Sequence, residues 1–128
     1  MKAQGGVAGV QLGHAGRKAS ERRPWHGETP VTEEDVELRG EAPWETIGPS
    51  VEPYAEGWHV PRVMTLDDIE SVKTSFKESA LRALQADFDV IDVYAAHGFL
   101  LHQFYSPVAN KRNDAYGGSF DGRIRLSL

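Results

Sequence analysis

The chain has 128 residues, 40% of them hydrophobic, a formal net charge of -5 and no cysteine. That is the composition of an ordinary globular segment, and it excludes a disulfide framework, a thiolate nucleophile and a cysteine metal cage. Acidic and basic residues are interleaved, so the chain lacks the basic stripe that nucleic-acid binding requires; its one basic cluster, Arg17, Lys18, Arg22 and Arg23, reads as a solvated loop.

The first apolar run is too brief for a signal-peptide core or a membrane span, so a cytoplasmic chain without a membrane partner is the expectation. Val7 to Leu12 reads as a short strand of a parallel sheet, covered on both faces, with a polar loop leaving its end at Gly13-His14-Ala15-Gly16-Arg17. From Ser20 to Val63 the sequence is rich in proline, glycine and charge. Its aromatic residues, Trp25, Trp44, Tyr54 and Trp58, follow no period, which predicts a long excursion packing down on something at one end of a barrel.

Thr65 to Ala86 is the best-specified helix. Thr65 is suited to the N-cap with Asp68 at the third helical position, and Met64 and Ile69 are spaced as a hydrophobic staple. Ile69, Val72, Phe76, Ala80 and Ala83 share one side of that helix and are expected in a core. Phe88 to Tyr94 carries the β-branched and aromatic residues of a second strand. A long polar stretch from Ala95 to Ser119 then precedes another helix start near Phe120, with Leu128 expected inside that helix. Strand, long loop, helix and strand make a βαβ unit, and the alternation suggests a doubly wound sheet or an eight-stranded barrel. One crossover helix and two strands cannot close a barrel, whose typical length is roughly 250 residues. The expectation is therefore a fragment, residues 1-128 of a single α/β domain, with open sheet edges that favour aggregation if it stands alone.

In parallel α/β folds the functional groups gather at the C-terminal ends of the strands. Here those ends carry Gln11, His14 and Arg17 after the first strand, and Tyr94 and His97 after the second, so the two sets are expected to converge on one pocket.

Gly9-Val10-Gln11-Leu12-Gly13-His14-Ala15-Gly16-Arg17-Lys18-Ala19 resembles the third-strand motif of the old yellow enzyme family, in the subgroup with a His-Ala-Gly-Arg-Lys signature. A second, longer resemblance runs from Phe88-Asp89-Val90-Ile91 through Ala95-Ala96-His97-Gly98-Phe99-Leu100-Leu101-His102-Gln103-Phe104 to Ser106-Pro107, Asn110-Lys111-Arg112, Asp114 and Tyr116-Gly117-Gly118-Ser119. The resemblance implies part of a (β/α)8 TIM barrel holding FMN, with NAD(P)H as reductant and an electrophilic alkene or enone as substrate. It also implies that Gln11 hydrogen-bonds the pyrimidine side of the flavin, which suits an amide because it both donates and accepts. His97 matches the second member of the family's His-x-x-His or His-x-x-Asn pair, which binds the activating carbonyl oxygen. A homo-oligomer of the longer parent is left open.

Two positions depart from the pattern. Tyr94 stands where the pair usually has its first histidine, and Phe99 stands where the family has the tyrosine that protonates the α-carbon. Tyr94 is a candidate substitute for that proton source. The turn Gly117-Gly118-Ser119 reads as punctuation before a helix, and His102, Asn110 and Arg112 as loop-ordering residues. Two other readings rank below a reductase: a truncated, non-catalytic paralogue that only binds other proteins, and a metal-dependent hydrolase using His14, His97 and Asp92, which lacks a compact ligand motif.

Overall fold

The computed structural model describes residues 2–128. Strands β1 (Gly9–Leu12) and β4 (Val90–Val93) pair in parallel, Gly9 opposite Val90 and Gln11 opposite Asp92, and helix α2 (Leu66–Gln85) is the crossover between them. Between β1 and α2 lie helix α1 (Glu33–Arg39) and two short parallel strands, β2 (Ile47–Gly48) and β3 (Arg62–Val63). After β4 come α3 (Leu100–Tyr105) and α4 (Phe120–Ile124), the last running into a 3-10 turn at Arg125–Ser127.

Helix α2 begins as its sequence demands. The Thr65 side chain accepts a hydrogen bond from the Asp68 backbone N–H at 3.1 Å, and the Asp68 carboxylate accepts from the Thr65 backbone N–H at 2.7 Å. Met64 and Ile69 are both buried in the main apolar cluster with Val72, Leu100, Leu101, Phe104 and Leu126. The core therefore sits at the C-terminal end of the sheet, between the start of α2 and the turns that follow β4. It holds in place the loops that leave the strands.

Five expectations need correction. The excursion from 20 to 63 is not structureless, for it contains α1, β2 and β3. The stretch from 95 to 119 likewise contains α3, whose Leu100, Leu101 and Phe104 are core residues. The sheet is not covered on both faces within this chain: Val90 and Val93 are each 50% exposed. Nor do Trp25 and Trp44 pack down, being 74% and 55% exposed. The basic cluster is also less solvated than expected, because Arg22 pairs with Asp35 and Arg23 with Glu41.

Asp35 explains how so acidic a segment as Glu33–Arg39 holds its place. Its buried carboxylate accepts from the Thr32 backbone N–H at 2.7 Å and from Arg22 Nε at 2.9 Å, and it also pairs with Arg39. The Thr32 backbone bond, followed by Arg22, holds its pKa down to about 2 from the ordinary 3.8. Because the folded-state value lies below the unfolded one, the ionised carboxylate stabilises the fold fully above about pH 4 and progressively less as pH falls toward 2. Backbone hydrogen exchange across α1, corrected for intrinsic rates, should lose protection over that window, and Asp35→Asn should flatten the dependence. An unchanged acid profile in the variant would refute the assignment.

Candidate functional site

Parallel pairing with Gln11 opposite Asp92 sets two polar side chains side by side at the sheet's C-terminal end. Both are exposed, and Gln11 Nε2 donates to Asp92 Oδ2 at 2.6 Å. That bond orients the amide and leaves its carbonyl oxygen and second N–H directed elsewhere. Just beyond, Gln11 lines a cleft of about 350 Å³ with Gly13, His14, Ala15, Tyr94 and Phe99. Gly13 permits the close approach of the two strand ends, since a Cβ there would lie 3.2 Å from the Cβ of Tyr94.

Tyr94 and His97 form a unit. The Tyr94 hydroxyl is hydrogen-bonded to His97 Nδ1 at 2.5 Å, and their rings meet edge-on with centroids 5.6 Å apart. In the tautomer that can donate from Nε2, Nδ1 accepts from the tyrosine, whose single hydrogen is then engaged. His97 itself has φ of +53°, a conformation rare outside glycine and concentrated at functional sites. Phe99 packs on Tyr94 with ring centroids 4.7 Å apart, and Lys18 Nζ lies 5.3 Å from the Phe99 ring and 4.6 Å from that of Tyr54.

Of the five residues expected to converge, Gln11, His14 and Tyr94 share the cleft, and His97 joins it through Tyr94. Arg17 does not. Its guanidinium donates instead to the carbonyls of Glu52 and Pro53 at 3.1 and 3.2 Å, tying the excursion to the loop after β1. His14 accepts from the Gly16 backbone N–H through Nδ1 at 3.0 Å, and burial lowers its pKa, so the neutral ring carries its proton on Nε2.

Other side chains order the loops. Gly98 N–H donates to His102 Nδ1 at 2.8 Å, Asn110 donates to the carbonyls of Phe104 and Tyr116 at 2.8 and 2.9 Å, and Arg112 pairs with Asp114. Ser119 caps α4 by accepting from Gly122 N–H at 3.1 Å. Gln103 was not singled out by sequence, yet it is 1% exposed and reaches both site loops. Its Nε2 donates to Ala15 O at 3.2 Å and to Gly98 O at 2.8 Å.

An exposed, oriented amide that both donates and accepts fits the pyrimidine edge of a flavin, and the neighbouring cleft gives the ring a place to rest one side. The fit is to one wall of a cofactor site. Among the described residues no three His, Asp or Glu side chains are grouped so as to hold a metal ion, which leaves the hydrolase reading without a ligand set. No helix among the described residues is long and apolar enough to cross a membrane.

A βαβ unit whose polar groups gather at the C-terminal strand ends is the repeating unit of parallel α/β folds, doubly wound sheets and barrels alike. The family model of the NADH:flavin oxidoreductase / NADH oxidase family matches residues 1–128, and the chain belongs to that family. It is 49% identical over 121 residues to an NADH:flavin oxidoreductase of Gibberella zeae, covering 94% of this chain and 29% of the relative. It is 41% identical over 126 residues to an NADPH dehydrogenase of Bacillus velezensis, covering 98% and 31%. Among solved structures it superposes on an Old Yellow Enzyme from a Pichia species with a TM-score of 0.76 at 32% identity, covering 98% of this chain and 31% of that one. Morphinone reductase gives a TM-score of 0.75 at 30% identity, with 98% and 33% covered. The fold is thus part of the old yellow enzyme (β/α)8 barrel, and the chain spans about a third of the length of the relatives it matches.

Proposed function

We propose that these residues form one wall of the active site of an FMN-dependent, NAD(P)H-oxidising reductase acting on electrophilic alkenes or enones. The observation that carries the reading is that Gln11 and Tyr94 line one cleft at adjacent parallel strand ends, with His97 hydrogen-bonded to Tyr94 beside it. FMN, when bound, supplies the two-electron carrier that takes hydride from the nicotinamide and passes it to the β-carbon of the alkene. Gln11 holds the pyrimidine edge of the ring. His97 donates from Nε2 to the substrate carbonyl oxygen, where negative charge accumulates as the β-carbon gains hydride. A proton at the α-carbon completes the reduction, and because Phe99 has none to give, water or Tyr94 supplies it. The 128 residues by themselves are expected to hold FMN weakly, since Gln11 is the one side chain here assigned to the flavin, and to be inactive.

The test is an FMN titration followed by flavin fluorescence, on the protein that carries this sequence and on Gln11→Leu. Losing the paired hydrogen bonds of the amide should raise the FMN dissociation constant about tenfold or more. Equal affinity in the two proteins would remove Gln11 from the cofactor site. Absence of flavin binding by the unsubstituted protein would favour the second reading, a non-catalytic paralogue, which the replacement of the proton-donating tyrosine by Phe99 already supports.

A further inference from the structure

We infer that Gln103 is a positioning residue that fixes the spacing between the two loops of the site; the inference rests on the reading of that site as the enone pocket. Gln103 lies on α3, outside the cleft, and its amide is buried where three segments meet. It donates to Ala15 O in the loop after β1 and to Gly98 O in the loop after β4, and its Oε1 accepts from Arg17 N–H at 3.4 Å. One planar group thus fastens the segment carrying His14 to the segment carrying His97. The slot around it is built for an amide. A Cβ on Gly16 would lie 2.4 Å from Gln103 Nε2, and one on Gly48 would lie 3.2 Å from Oε1. Gly16 also has φ of +60°, so both its conformation and its missing side chain serve the approach. The loop after β1 has a single 3-10 turn, Gly16–Lys18, and residues 94 to 98 have no helix or strand. Lys18 Nζ donates to His97 O at 3.4 Å and Leu100 N–H to His14 O at 2.9 Å, but only the Gln103 amide is a buried side chain bonded to both loops. His97 adopts a left-handed conformation that its surroundings must enforce. A shift of about 1 Å in groups that bind a reacting ligand is costly to rate and affinity, which is why such a clamp matters to function as well as to folding.

Gln103→Met keeps the length of the side chain and deletes its hydrogen bonds. The control is Asn110→Met, which removes a comparably buried amide whose partners, Phe104 O and Tyr116 O, lie away from the cleft. Two measurements on the FMN-loaded holoprotein separate the roles. Amide hydrogen exchange, with no other ligand added, should quicken in 13–18 and 94–99 together in Gln103→Met and stay unchanged there in Asn110→Met. The dissociation constant for cyclohex-2-enone, read from flavin absorbance, should rise about tenfold in Gln103→Met alone. Exchange that quickens equally in both variants, or in neither, overturns the clamp. Paired loosening in a protein whose unsubstituted form does not bind the enone would leave the clamp standing and overturn the enone reading instead. If Gln103→Met does not fold, Gly16→Ala decides the matter, because its Cβ displaces the amide without deleting it; loosening confined to 13–18 would then overturn the clamp.

Discussion

Replacing His97 with alanine is expected to lower kcat for enone reduction by about a hundredfold to a thousandfold, the usual cost of removing one donor from a developing oxyanion. FMN content should not change, since Gln11, not His97, is the group assigned to the flavin. Tyr94→Phe should act more weakly and in a different way. With water as the proton source and His97 in the tautomer argued above, it deletes no group that acts on the substrate directly; it removes the hydroxyl that keeps Nδ1 satisfied and Nε2 protonated. A loss of about tenfold is the expected size, of the order of one hydrogen bond. A double variant should therefore lose little more than His97→Ala alone, because the tyrosine acts through the histidine. Steady-state turnover of cyclohex-2-enone with NADPH, paired with enone affinity by flavin absorbance, measures all three. Independent, multiplicative losses would show that Tyr94 binds the substrate or protonates it in its own right. Turnover within about threefold of the unsubstituted protein in His97→Ala would remove the oxyanion role altogether.

What the sequence made legible was whatever its physics wrote locally. Helix α2 announces itself through Thr65, Asp68, Met64 and Ile69, all within one turn of its start, and through an apolar face long enough to show a period. Gln11, Tyr94 and His97 were legible because strand ends carry the chemistry in parallel α/β folds and because their motifs resemble a known family. Helix α1 escaped although Thr32 and Asp35 make a capping box and Gly40 closes it. Its two large apolar residues, Val36 and Leu38, are both exposed, so no apolar stripe marks it, and its anchor is an ion cluster with Arg22 from another part of the chain. Helix α3 is six residues long, shorter than the window in which a helical period can be seen. Gln103 was the hardest to find. Its partners at residues 15 and 17 are more than eighty positions away, and no local pattern distinguishes a clamping glutamine from a solvated one.

Phe99→Tyr is expected to raise the rate of alkene reduction by about a hundredfold, the lower end of what a positioned general acid contributes. The argument begins with what surrounds the ring. Phe99 borders the cleft beside Gln11 and Tyr94, half-buried, with Lys18 Nζ 5.3 Å from its centroid. A hydroxyl added there would bring a proton to the rim of the cleft, and the nearby ammonium would ease its release by favouring the phenolate left behind. Tyr94 does not already fill this role in the same way, because its own hydrogen is shared with His97 Nδ1. The reductive half, in which NADPH is oxidised, involves no proton transfer to substrate and should be unaffected. Stopped-flow measurement of the two halves separates them: the gain should appear only when the alkene is the oxidant, and a solvent isotope effect on that step should change with the substitution. Lys18→Met in the Phe99→Tyr background should forfeit part of the gain while leaving the NADPH half intact. If the alkene step is no faster in Phe99→Tyr and its solvent isotope effect is unchanged, protonation does not limit the reaction, and the absent tyrosine is no handicap to this protein.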